Sequence, residues 1–280
     1  MYKLAIGLIE CGVPFGRQTQ LLKRAGWEGA FFGWEEGLDP AAVAKQIREA
    51  GLFLQSVHAP FQGLCRLWES EEEGLAEQKK LIEVIRGAAA LGTDLVIMHA
   101  VVGMDKNLPT RLECERGLAR FGNIFDAAEK EGVIVAMENT EGEAYLDAVM
   151  AAHGHRKNVK FCIDTGHEMC YNRSSDMIGR YQDKLYCTHL NDNLGMSGDR
   201  ITWTDDLHLL PFDGVADWEG IAKRLQKAGY RGDFTFELNI SSKPGRHEND
   251  VYRKMDFFDF ASLAFRRAEK FCEIFYQKRP

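Results

Sequence analysis

Four apolar runs of this chain each end on a side chain able to hold a metal ion: Val133 to Glu138, Val159 to Asp164, Leu185 to His189 and Phe234 to Glu237. Along an extended chain alternate side chains share a face. Counting back in twos from each terminal residue puts Ala136, Cys162, Cys187 and Thr235 on its face, with Val135, Met137, Phe161, Ile163, Tyr186, Phe234 and Phe236 opposite. The first set is small and the second bulky. A closed parallel barrel asks for that arrangement when its interior leaves room for an ion at one end and its outer surface packs against helices. A charged group at the end of a buried strand is costly unless it is paired or bound to a cation, so Asp164 needs a partner, and Gly166 is expected to supply the turn that follows.

The rest of the chain repeats one unit. Strands are expected at Tyr2 to Ile9, Trp27 to Phe32, Leu52 to His58 and Asp94 to His99 before the four runs above. Helices are expected near Gln18 to Ala25, from Asp39-Pro40 to Ala50, from about Ser70 to Leu91, and from Pro109 to Glu131, closed by Gly26, Gly51, Gly92 and Gly132. Further helices are expected at Glu143 to Ala152, Ser174 to Arg180 and Trp218 to Ala228, the last capped by Asp217. A Phe-rich stretch from Asp250 to Gln277 reads as one final helix across the barrel wall. Eight strands alternating with about eight helices, with no Ser/Pro-rich linker, make residues 1–280 one (β/α)8 TIM barrel of the α/β class.

With 280 residues, 45% of them hydrophobic, the chain can bury a sizeable core. No apolar run is long enough to span a bilayer and the N-terminus leads almost directly into a strand, so neither signal peptide nor membrane anchor is expected and the cytoplasm is the default location. The seven cysteines lack Cys-x-x-Cys spacing and read as reduced packing residues. A net charge of −7 argues against a nucleic-acid partner.

Chemistry in such barrels sits at the C-terminal ends of the strands. Those ends carry His58 and His99 on strands three and four, then Glu138, Asp164, His189 and Glu237 on strands five to eight. Met137-Glu138-Asn139, Ile163-Asp164-Thr165-Gly166-His167, Thr188-His189-Leu190-Asn191-Asp192, Asp206-Leu207-His208-Leu209-Leu210-Pro211 and Phe236-Glu237-Leu238 resemble the motifs of the xylose isomerase-like barrel superfamily. That grouping takes in sugar and sugar-phosphate isomerases, ketose 3-epimerases, inosose and hydroxypyruvate converting enzymes, and endonuclease IV. The resemblance implies one divalent metal ion on Glu138, Asp164, His189 and Glu237, with His167 at the substrate and a functional place for Asp206 and His208; His58 and His99, by their strand ends, are expected to bind substrate as well.

Three carboxylates and an imidazole form an oxygen-rich site suited to Mn²⁺, Mg²⁺ or Co²⁺, with Zn²⁺ also accommodated. Chelation of a carbonyl and its neighbouring hydroxyl acidifies the intervening C–H and stabilises an enediolate. By resemblance to ketose 3-epimerases, Glu138 and Glu237 are the acid/base pair of a metal-dependent sugar or sugar-phosphate isomerase or epimerase. Two alternatives stand beside it. His99, Glu138, Asp164, His167, His189, Asp206, His208 and Glu237 also match, in order, the zinc cluster of endonuclease IV, a multi-zinc phosphodiesterase, and His58 could supply its last position; a barrel that binds sugar without turning it over is the other.

Arg200, Lys243 and Arg246 lie in loops where they could meet a substrate phosphate or carboxylate, and the segment Phe212 to Trp218 offers a phosphate cradle at a helix N-terminus. Trp34, Phe61, Trp68 and Trp203 are placed to stack on a sugar or to pack their own loops. A homo-oligomer paired through outer helices stays open, with no stripe that marks the surface.

Overall fold

In a computed structural model of the chain, residues 2–103 and 110–277 are described. The first half holds β1 (Leu4–Gly7), α1 (Phe15–Ala25), β2 (Gly29–Gly33), α2 (Pro40–Glu49), β3 (Phe53–His58), α3 (Arg66–Glu69), α4 (Glu72–Ala90) and β4 (Leu95–His99). The second half holds α5 (Arg111–Glu131), β5 (Ile134–Glu138), α6 (Glu143–His153), β6 (Val159–Asp164), α7 (Thr165–Cys170), α8 (Met177–Arg180), β7 (Leu185–His189), α9 (Trp218–Lys227), β8 (Phe234–Phe236), α10 (Asp250–Arg253) and α11 (Phe257–Gln277).

The eight strands form one parallel sheet in the order β7-β6-β5-β4-β3-β2-β1-β8. Leu190 brings the two edges together: its N–H donates to Thr235 O at 2.8 Å, and its carbonyl accepts from Glu237 N at 3.3 Å. The expected barrel is therefore present, nearly closed, with its helices outside.

Side-chain alternation separates two cores. Inside the barrel Leu95, Ile97, Ala136, Cys162 and Cys187 form a small cluster beneath the strand ends, and the bulky opposite faces join the large layer under the helices. There Phe234 meets Phe271 and Phe275 of α11 at centroid distances of 5.2 and 5.1 Å. Trp27 fastens the same helix by donating its indole N–H to Ala261 O at 3.1 Å. All seven cysteines are free. No helix among the described residues is long and apolar enough to cross a membrane.

Local signals account for most boundaries. Asp39 caps α2 by accepting from Ala41 N and Ala42 N, with Pro40 in the first turn. Thr110 and Glu113 cap α5 reciprocally; Pro109, read from sequence as its start, lies outside the described residues. Gly132 ends that helix at φ 69°, where a side chain would be strained.

Three expectations need correction. Gly166 makes no turn: it lies in the first turn of α7, which Asp164 caps by accepting from His167 N at 2.7 Å. The segment read as one helix from Ser174 is only Met177–Arg180, because Arg173 and Ser174 take positive φ. The final helix is split into α10 and α11 around Lys254 to Asp256, where Asp256 caps the second piece through Asp259 N.

Candidate active site

The strand ends converge on Glu138. His99 and Glu138 are paired across β4 and β5, and Asp164 and His189 across β6 and β7, so neighbouring strands deliver these side chains to one place. Glu138 Oε2 faces His58 Nε2 at 3.1 Å and His99 Nε2 at 2.9 Å, while Oε1 meets His189 Nδ1 at 2.7 Å. His189 Nδ1 also lies 3.0 Å from Glu237 Oε2. One ligand atom each from Glu138, Asp164, His189 and Glu237 falls within 4.8 Å of the others, and the same holds for His58, His99 and Glu138, and for His167, Asp206 and His208.

Sequence reasoning missed what holds Asp164. Asn139 clamps its backbone, accepting from Asp164 N at 2.7 Å and donating to Asp164 O at 2.9 Å. Asn191 donates to Asp164 Oδ2 at 2.8 Å. Gly166 matters here by its size, since a Cβ on it would come 1.9 Å from Asn191 Oδ1. The available signal was a polar residue one place after Glu138 and two after His189, in otherwise apolar strand ends.

The Asp206-x-His208 pair lies in the same site. His208 Nε2 is 3.0 Å from Asp206, His167 Nε2 is 3.5 Å from Asp206 Oδ1, and Lys243 Nζ is 3.4 Å from Asp206 Oδ2. His208 holds φ 48°, an uncommon conformation for a side-chain-bearing residue. Its Nδ1 donates to Glu237 O at 3.0 Å, which ties this loop to the end of β8.

Whether these residues fit a cation can be tested on their hydrogen bonds. His58 Nδ1 is 2.8 Å from Ala59 O, His167 Nδ1 is 2.8 Å from Asn139 O, and His208 Nδ1 is bonded to Glu237 O. A carbonyl only accepts, so each Nδ1 carries a proton, and in the neutral ring Nε2 is left with a lone pair. Each of those Nε2 atoms faces a carboxylate oxygen. Two acceptors in contact require a proton or a metal ion between them, and imidazoles oriented through the opposite ring nitrogen are what metal sites use. The residues fit a cation.

Without metal, protons on His167 and His208 fill that need against Asp206. Burial pushes Glu138 up, but His189, His58 and His99 outweigh it and hold its carboxyl well below the usual range. Burial lowers and the surrounding carboxylates raise His167 and His189, which end well above the ordinary value. Burial likewise lowers His208, but Asp206 lifts it to about 9. Burial raises Asp164 to about 6 despite His167 and His208, and His189 brings Glu237 down to about 2 against the upward push of burial.

A pH dependence follows. A histidine raised from 6.5 to about 9 adds stability that is complete below pH 6.5 and lost as pH rises through 9. Asp164, raised to about 6, acts in the same direction at lower pH, its contribution disappearing as pH rises from its ordinary value of 3.8 through 6. The Tm of chelator-treated protein is therefore expected to fall between pH 6.5 and 9, while divalent metal binds more tightly as pH rises and releases protons. Thermal unfolding across that range and calorimetric titration of Mn²⁺ in buffers of different ionisation heat would measure both; a Tm that climbs with pH in the metal-free protein would contradict the assignment.

Above the cluster opens a cavity of about 540 Å³, lined by His58, His99, His167, Asp206, His208 and Glu237 on its floor and by Trp34, Phe61 and Trp203 around it. Trp68 is elsewhere: it lies in α3, fully buried, donating to Ala100 O at 2.8 Å. Lys243 reaches the cavity, Arg200 is not among its lining residues, and Arg246 is held by Asp205 and Glu248. The Glu237 side chain is 28% exposed and Glu138 is fully buried, so only the former faces the cavity.

A sequence profile described as xylose isomerase-like TIM barrel matches residues 19–259. The chain is 28% identical over 223 residues, 68% of each protein, to the uncharacterized protein y4fM of Sinorhizobium fredii. Its fold superposes on the structure of L-ribulose 3-epimerase with a TM-score of 0.71 at 16% identity, covering 99% of this chain and 97% of that one. It also superposes on 3-keto-D-glucoside 4-epimerase, YcjR, from E. coli, with a TM-score of 0.70 at 17% identity over 96% of this chain and 100% of that one. For a D-tagatose 3-epimerase-like protein the TM-score is 0.71 at 17% identity, covering 99% of both chains. At such identities the structural likeness speaks for the fold.

Proposed function

The chain belongs to the xylose isomerase-like TIM barrel family, and from that premise we propose that it is a divalent-metal-dependent sugar isomerase or epimerase. The observation that carries this reading is the gathering of Glu138, Asp164, His189 and Glu237 within 4.8 Å of one another beside the cavity. The names of the superposed structures, all sugar epimerases or similar to one, support a sugar as substrate.

A bound Mn²⁺, Mg²⁺, Co²⁺ or Zn²⁺ on those four residues would polarise a substrate carbonyl and its neighbouring hydroxyl. The protein's own groups then move the proton. Glu237 faces the cavity and is kept ionised by His189, so it is placed to take a proton from the carbon beside the carbonyl. The returning proton comes from the side of Glu138, which lies behind the cavity wall and exchanges protons with the substrate through His58 and His99, the two imidazoles that touch it and line the cavity. His167 and His208, oriented by backbone carbonyls, and Asp206 between them hold substrate hydroxyls. Return of the proton to the opposite face of the same carbon is epimerisation, and its return to the adjacent carbon is aldose–ketose isomerisation.

A second reading keeps one observation in its favour. Beside the four proposed ligands, His58 and His99 gather on Glu138 and the group of His167, Asp206 and His208 adjoins it, an arrangement that also suits several zinc ions and phosphodiester hydrolysis. Against it stands the acidic balance of the chain, −7 overall. Metal content of protein purified without added metal or chelator separates the two. One divalent ion per chain, lost in Asp164→Asn, is the expected result. Two or three zinc ions per chain would favour the phosphodiesterase, and no metal even after reconstitution would leave a sugar-binding barrel without catalysis.

A further inference from the structure

Whether the sugar carries a phosphate depends on what could hold one. In (β/α)8 barrels a substrate phosphate is commonly held by the loops after strands seven and eight and by the helix N-terminus nearby. In this chain several of the corresponding groups are engaged by its own side chains and carbonyls. Asp192, fully buried just after β7, accepts from Asn193 N at 2.8 Å, Ala216 N at 2.9 Å, Phe212 N at 2.8 Å and the Trp218 indole N–H at 2.8 Å. That carboxylate fills the cradle the sequence suggested for a phosphate, and a Cβ at Gly214 would lie 2.3 Å from its Oδ1. The start of α9 is closed by Asp217, which accepts from Gly220 N at 2.9 Å. After β8, Asn239 N donates to His208 O, Ser241 N to Asn239 Oδ1, His247 N to Glu248 Oε2 and Asn249 N to Ser242 Oγ.

The charges around the cavity point the same way. Among the described lining residues Lys243 is the single lysine or arginine, in a lining that also holds the carboxylates of Glu35, Glu141, Asp206 and Glu237. Its ammonium is engaged with Asp206 and lies 5.6 Å from the centroid of the Trp203 ring. Arg246 is bound to Asp205 at 2.7 Å and Glu248 at 2.8 Å. A phosphate ester brings close to two negative charges and needs charge-assisted partners. Here it would meet carboxylates and amides already in use, whereas sugar hydroxyls can donate to those carboxylates and lay their apolar faces on Trp34, Phe61 or Trp203.

Resting on the isomerase reading, we infer that the substrate is an uncharged polyhydroxy ketone or aldehyde, a free sugar, and that the site rejects its phosphate ester. The test uses the full chain reconstituted with Mn²⁺ and matched pairs of ketopentoses and ketohexoses with their terminal phosphates, following incorporation of solvent deuterium. Expected is kcat/KM on the order of 100-fold higher for the free sugar, the scale set by leaving a charged group without partners. Equal or better exchange with the phosphate esters would overturn the inference and leave the isomerase reading standing. Exchange into neither set would remove the isomerase reading, and this inference with it. Calorimetric titration of the same pairs makes the comparison without turnover, where tighter binding of the ester would likewise overturn it.

Discussion

Glu138→Gln is expected to stay folded, to be purified without its metal ion and to lose at least about 10³-fold in turnover. The fold should survive because the amide can be seated. With its NH₂ turned toward His58 Nε2 and His99 Nε2 and its oxygen toward His189 Nδ1, every contact of the carboxylate is replaced by a donor–acceptor pair. The neutral amide, however, no longer balances the charge that Glu138 and Glu237 hold on His189, and one of the four proposed ligand atoms becomes a poor one. Loss of a proton-transfer group alone accounts for about 10²–10⁴-fold. Metal analysis and turnover on a ketose panel, with circular dichroism for the fold, are the measurements; full turnover with metal bound would end the proposed role. Glu237→Gln shares a partner in His189 but faces the cavity, so it is expected to lose turnover while keeping more of its metal.

Much of this site was legible because strands alternate with period two and end abruptly. The positions of Glu138, Asp164, His189 and Glu237 follow from counting along four short runs, and so does the layer of Ala136, Cys162 and Cys187 beneath them. The meeting of His58, His99 and His189 on one carboxylate could not be read that way, because it depends on the stagger between strands far apart in sequence. Helix α7 was missed for a local reason: Thr-Gly-His-Glu-Met-Cys has a weak propensity for helix, and the turn forms through the Asp164 cap. Asp192 was visible as part of a motif and still gave no hint of its task. Its partners at positions 212, 216 and 218 lie across a long irregular segment, whose path no periodicity reveals.

That task makes Asp192 the most vulnerable buried carboxylate outside the ligand groups. Four donors end on its two oxygens, and its backbone pairs with Leu209 in both directions, Asp192 N to Leu209 O at 2.9 Å and Leu209 N to Asp192 O at 3.0 Å. Asp192→Ala strands all four donors; the amides of Phe212 and Ala216, only partly buried, can recover water, whereas those on Asn193 and Trp218 cannot. The expected cost is about 3–5 kcal/mol, the range for removing one partner from a buried charged network. For a domain of this size that corresponds to roughly a 10 °C drop in Tm. Asp192→Asn should be no milder in kind, because an amide turns a donor toward two donors whichever way it is flipped. The segment so disturbed carries Asp206 and His208, so turnover should decline at temperatures where the barrel is still folded. Calorimetric melting of both variants beside activity measured below their Tm decides the matter, and an Asp192→Asn protein within about 1 kcal/mol of the parent would show that these hydrogen bonds do not hold the loop.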